Sequence, residues 1–174
     1  MTARDDRAVA ALRAIGTTLT RLPRVVGVLL ALVWIGVIWR ISSIEGVDAP
    51  QLFLRSWLHN SAHAPFFGFL AFLLVIALPR ESRWPRLTVR SAALILGLVF
   101  AYSVIDEWHQ GQVPGRDPDW SDVMTDMIGA GVTLYMIAWL SKSEAKRGGL
   151  WSRIALGLAL CLAGGFVAAW RSWS

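Results

Sequence analysis

Apolar residues in this chain gather into five runs, at about Leu22–Ile41, Trp57–Leu78, Ser91–Ile105, Asp122–Leu140 and Leu150–Trp170. A helix that crosses the hydrocarbon core of a bilayer needs about 20 such residues, within a range of about 17–25. The first, second and fifth runs meet that length directly. The third has 15 residues and reaches it only by taking in Leu87–Arg90 or the start of Asp106–Gln110, and the fourth opens with two carboxylates, Asp122 and Asp126. A buried core helix would account for one such run, but not for five in 174 residues. The pattern predicts an all-α polytopic transmembrane bundle of about five spans. Upstream, the arginines from Arg4 to Arg24 alternate with Val9, Leu12, Ile15, Leu19 and Leu22, which suits a basic amphipathic helix on the inner leaflet. No small-residue cleavage site follows the first run, which reads as an uncleaved signal anchor. The chain then divides into a basic cytoplasmic segment (1–21), a four-span core (22–140), a cytoplasmic loop (141–149) and an additional span with a short outer tail (150–174).

Composition supports this reading. Apolar residues reach 55%, charged residues only 17%, and the mean hydropathy is +0.51, whereas soluble domains carry about 25% charge. The net charge of +5 does not imply nucleic acid, because the basic residues sit between apolar runs rather than on one solvated face. Their placement gives the orientation instead. Thirteen Lys and Arg fall on one side: Arg4, Arg7, Arg13, Arg21, Arg24, Arg80, Arg83, Arg86, Arg90, Lys142, Lys146, Arg147 and Arg153. Only Arg40, Arg55, Arg116 and Arg171 fall on the other. The positive-inside rule then puts the amino terminus in the cytoplasm and the carboxyl terminus outside. Nine of the ten Trp fall near run boundaries, as interfacial belts do; Trp34 is the exception. Cys161, the single cysteine, excludes an intrachain disulfide and a cysteine-based zinc site, and reads as a small buried hydrophobe.

Sorted by side, the polar residues are strongly asymmetric. The outer side holds all three histidines, His59, His63 and His109, with Asp106, Glu107, Gln110, Arg116, Asp117, Asp119, Asp122 and Asp126. Residues three or four apart share a helix face, so His59 pairs with His63, Asp106 with His109 and Gln110, and Asp122 with Asp126. The Gly/Pro segment from Gly111 to Arg116 can fold back and aim Arg116 at the carboxylates. Between Asp106 and Asp126 there are six carboxylates and one arginine. Intramembrane ionisable residues are functional candidates by default. Taken singly, Asp122 suits a helix cap, Asp117 and Asp119 suit a solvated loop, and His59 an interfacial position. Taken together, His63, Asp106, Glu107, Gln110, Arg116, Asp122 and Asp126 read as a binding site.

The run Asp106-Glu107-Trp108-His109-Gln110-Gly111-Gln112-Val113-Pro114-Gly115-Arg116, followed by Asp122, Asp126 and Gly129, resembles the VanZ-like family. That family's pattern is D-E-x-x-Q, then P-G-R, then an Asp six residues on, then Asn and Gly at the head of the next span. His63 matches the histidine that opens the family's second span, and Ile41-Ser42-Ser43 resembles the S-S that closes its first. The resemblance covers about Leu30 to Leu140. Two positions depart from the pattern: Asp126 replaces the usual Asn, and His59-Asn60 replaces an acidic–basic pair. The last span lies outside the common core. The resemblance implies a multi-pass protein of the bacterial cytoplasmic membrane, with a cell-envelope role of the kind suggested by the namesake's link to teicoplanin resistance.

Two classes of function follow. In the first, an accessory membrane protein binds an envelope lipid, lipid-linked precursor or antibiotic, and Asp106, Arg116 and Asp122 form an ion-pair lock between the third and fourth spans. In the second, an outward-facing enzyme acts on an envelope lipid: Glu107, Asp106, His63 or His109 serves as acid, base or ligand, and Arg116 holds an anion. Its divalent metal would draw ligands from His63, Asp106, Glu107, His109, Asp122 and Asp126; oxygen donors favour Mg²⁺, Ca²⁺ or Mn²⁺, while histidine admits zinc. A transporter fits less well, since no internal repeat is evident and no run is read as interrupted mid-span by Gly or Pro. Oligomeric state is not legible in the sequence.

Overall fold

The computed structural model describes residues 3–19, 21–45, 52–78, 87–116, 118–141 and 149–173. They form six helices: α1 (Ala3–Leu19), α2 (Arg24–Ser42), α3 (Phe53–Ala77), α4 (Val89–Gln110), α5 (Trp120–Leu140) and α6 (Leu150–Trp173). All but α1 are long and apolar enough to cross a membrane. The short third run is completed at both ends. A capping box between Thr88 and Ser91 starts α4 upstream, and Asp106–Gln110 continue it rather than entering the loop. Asp117 and the loop residues Arg80, Glu81, Arg83, Trp84, Arg86, Lys142, Glu144, Lys146 and Arg147 lie outside the described residues.

The bundle is apolar on its flanks, and it buries a polar cluster beside an apolar core that includes Phe67, Leu70, Ile95 and Val99. Leu29, Leu32, Val33, Leu94, Leu98, Phe100, Leu156 and Leu158 are exposed along its flanks. Ser42, Asn60, Ser103, Asp106, Glu107, Gln110, Ser121, Asp122, Thr125 and Asp126 are buried. This is the arrangement a lipid solvent selects, because apolar side chains cost nothing on the outside and polar ones must find partners inside. Trp108, Trp120, Trp151 and Trp170 are exposed near helix ends. Trp34, the interior exception, donates from Nε1 to the Phe66 carbonyl at 2.9 Å.

The helix α3 is the hub, packing against α2, α4, α5 and α6. Its crossing with α5 is close because Gly129 stands against the backbone of Ala64. Pro65 lies inside α3, but the helix continues unbroken through it, so this run is not interrupted. The last span is integral to the bundle: Trp57 Nε1 donates to the Leu162 carbonyl at 2.9 Å, and Phe53 and Trp57 meet Phe166 edge to face. Cys161 on this helix is half-buried rather than buried. At the opposite end, α1 is docked onto the bundle. Val9 is buried with Leu140 and Leu150, and Arg13 Nε donates to the Leu140 carbonyl at 3.0 Å.

Candidate functional site

The carboxyl ends of α2 and α4 and the amino ends of α3 and α5 meet at one end of the bundle. Period-3.6 spacing puts Ser103, Asp106 and Gln110 on one face of α4, Asp122 and Asp126 on one face of α5, and His59 and His63 on one face of α3. Helix geometry thus aims three sets of polar side chains at a common interior point.

His63 is at the centre. Its Nδ1 donates to Asp126 Oδ1 at 3.2 Å, and its Nε2 lies 3.9 Å from Asp122 Oδ2. Asp126 is fully buried, and its other oxygen accepts from Ser103 Oγ at 2.5 Å. Glu107 Oε2 accepts from the Asp119 backbone N–H at 2.9 Å, which ties the end of α4 to the start of α5. Asp106 Oδ2 accepts from Ser42 Oγ and from Gln110 Nε2, both at 2.9 Å. Two carboxylate oxygens, Asp106 Oδ1 and Asp122 Oδ1, are buried without a hydrogen-bond partner among the described residues.

Arg116 corrects the expected lock. Glycine at position 115 takes a positive φ of 71°, which L side chains rarely adopt, and so turns the chain back over the site. The guanidinium then meets neutral acceptors: the carbonyls of Ile44 at 3.1 Å and Ile41 at 3.4 Å, Gln110 Oε1 at 3.2 Å and His59 Nε2 at 3.3 Å. Among the described residues it makes no ion pair with a carboxylate. Gln110 stands between, accepting from Arg116 and donating to Asp106 and, at 3.4 Å, to Glu107. Its amide can both donate and accept, so it serves the guanidinium on one side and the carboxylates on the other.

Three further expectations are revised. His109 is turned away from the cluster: it stacks on Trp39 at 3.7 Å and shares a 2.9 Å hydrogen bond with Ser43 Oγ. Asp119, not Asp122, caps α5, accepting from the Ser121 N–H at 2.9 Å. Asp119 is half-buried rather than solvated. Ser42 and Ser103 enter as direct partners of the carboxylates. Ser103 could have been found from its spacing, three residues before Asp106 and seven before Gln110.

Beside the cluster, a cavity of about 100 Å³ opens between α2, α3 and α4. Ile38, Ile41, Phe66 and Phe67 form its apolar wall, and His59, His63, Asp106, Gln110 and Arg116 its polar end.

The family pattern described as VanZ/LLP1 matches residues 17–142. This chain belongs to the VanZ family. The matched region contains α2 to α5 and every residue of the polar cluster, while α6 falls outside it. No curated protein and no solved structure matches the chain.

Proposed function

We propose that this VanZ-family membrane protein binds the polar head of an envelope amphiphile, a lipid or lipid-linked precursor, at the outer end of its bundle and serves an accessory cell-envelope role. The observation that carries this is the cavity, whose lining is itself amphiphilic. Its apolar wall suits the start of an acyl or prenyl chain. Arg116 supplies a guanidinium fork for a phosphate, and Asp106 Oδ1 is a buried acceptor with no donor among the described residues. A head group that carries a phosphate together with a hydroxyl or amine satisfies both. The positive-inside count faces this end outward from the bacterial cytoplasmic membrane. The family's link to glycopeptide resistance is consistent with a ligand in the envelope.

A second reading, metal-dependent hydrolysis or transfer on an envelope lipid, draws on the convergence of Glu107, Asp122 and His63 beside the same cavity.

The test is lipid retention, measured by native mass spectrometry of the protein from nanodiscs holding phosphatidylglycerol and phosphatidylcholine in equal amounts. Phosphatidylcholine has the phosphate but no donor group. Wild type is expected to retain phosphatidylglycerol preferentially. Arg116→Ala is expected to weaken retention about tenfold, the scale of one charge-assisted contact of about 1.5 kcal/mol. Because Arg116 pairs with carbonyls and an amide, exchanging its charge with that of Asp122 should not restore binding. Equal retention of both lipids by wild type refutes the proposal.

A further inference from the structure

The interior of this cluster carries more negative groups than the protein answers. Asp106, Glu107, Asp122 and Asp126 are each at most 7% exposed. The only basic side chain within ion-pair distance of any of them, among the described residues, is His63, which carries charge only when protonated. Buried carboxylates are stable only when paired, hydrogen-bonded, protonated or bound to metal.

The four are not equivalent. Asp126 has both oxygens engaged, by His63 and Ser103, and Asp106 is held by Ser42 and Gln110. Asp122 is different: it accepts no hydrogen bond that the structure records, its Oδ1 is buried without a partner, and its Oδ2 faces His63 Nε2. Glu107 is anchored at Oε2, and its Oε1 has only a long contact at 3.4 Å. Donor atoms of His63, Glu107 and Asp122, one from each of three helices, lie within 4.8 Å of one another. The Asp126 carboxylate accepts from His63 Nδ1, which fixes the tautomer and leaves the Nε2 lone pair directed at Asp122. A carboxylate behind a histidine in this way is the usual outer support of a metal-binding imidazole.

We infer that His63, Glu107 and Asp122 bind one divalent cation, with Asp126 as the orienting residue behind His63. One imidazole and two carboxylates suit Zn²⁺, which takes nitrogen and oxygen donors at about 2.0–2.2 Å and tolerates three protein ligands with an open position. Tetrahedral donors around such an ion stand about 3.4 Å apart, so the present spacing closes by side-chain rotation without helix movement. His63 also lines the cavity, which puts the cation at its edge, where an anionic head group can reach it. The site itself does not depend on the lipid-binding proposal, and its test uses no lipid.

The experiment is zinc content by inductively coupled plasma mass spectrometry, with thermal shift, on the full chain in detergent after chelation and reloading with Zn²⁺. About one equivalent is expected in wild type, with a higher melting temperature on loading. Glu107→Gln and His63→Ala should each lose the ion and the shift. Asp126→Asn should weaken binding about 10–100-fold. His109→Ala should keep both, because that ring lies on Trp39. Size-exclusion profiles establish that each variant is folded, and Glu107→Gln, nearly isosteric, keeps the test decisive if His63→Ala does not fold. Less than about a tenth of an equivalent in folded wild type, or one equivalent surviving in Glu107→Gln, overturns the inference. The first result would mean that the carboxylates are neutralised by protons.

Discussion

Replacing His63 with Leu is expected to be among the most damaging single changes in this protein. The imidazole is the sole basic partner of both Asp122 and Asp126 among the described residues, and carries the matching charge when protonated; it is enclosed with them at the head of α3 and α5. Leu fills a similar volume, so little packing is lost. What changes is that Asp126 keeps only Ser103, and Asp122 loses its facing group altogether. Removing one member of a buried charged pair costs about 3–5 kcal/mol, because the remaining member is left without compensation. The variant is therefore expected to melt well below wild type in detergent, followed by tryptophan fluorescence, and to lose preferential lipid retention. Adding Asp126→Asn should recover about 1–2 kcal/mol, because the amide accepts from Ser103 and carries no charge to bury. If the double variant melts no higher than His63→Leu, the loss comes from packing rather than from orphaned carboxylates.

The same cluster shows what could be read from the chain and what could not. Apolar run length is a property of sequence alone, so the five spans were legible, and helix periodicity paired His59 with His63, Asp106 with Gln110 and Asp122 with Asp126 on shared helix faces. The third span resisted because its two ends are polar for separate reasons. A Thr88–Ser91 capping box starts it, and buried Asp106, Glu107 and Gln110 finish it. Hydropathy reads both as loop, although each is helix.

Arg116 could not be placed from spacing either. A run of carboxylates near one arginine invites an ion pair, but the turn at Gly115 delivers the guanidinium to the carbonyls that end α2. The Ile44 carbonyl lies just past α2, and the Ile41 carbonyl, which accepts from the Ile44 N–H at 3.1 Å, has a second lone pair, so both can accept from the guanidinium. His109 lies on the same helix as Asp106, but one residue short of Gln110 in register, and so turns toward Trp39. A difference of one position, about 100° around a helix, separates a residue of the polar interior from one on the rim. The small partners Ser42 and Ser103 carry no charge to draw notice, yet they supply hydrogen bonds that let Asp106 and Asp126 be buried at all.

The packing that holds these groups in register leads to the other large effect, at Gly129. A Cβ on Gly129 would stand 2.0 Å from the Ala64 carbonyl oxygen and 2.6 Å from its carbon, so even Gly129→Ala requires α3 and α5 to separate. Both contacts are backbone atoms, which no rotamer change can move aside. Small residues at such crossings allow the close approach on which membrane helix association depends, and forced overpacking costs about 1–3 kcal/mol, occasionally more. The displacement also bears directly on the site, because His63 immediately precedes Ala64 and Asp126 stands one turn before Gly129. Moving these backbones apart stretches the 3.2 Å His63–Asp126 bond. Gly129→Ala is accordingly expected to lower the melting temperature, and to weaken zinc retention along with it. Gly131→Ala, two residues further along the same helix, is the internal control. A Cβ there meets nothing within 4 Å, and alanine favours helix over glycine by about 0.8–1.0 kcal/mol, so that variant should melt at or above wild type. If both variants melt alike, the close approach of α3 and α5 is not what holds the bundle together, and the geometry built on it for His63 and Asp126 would need another support.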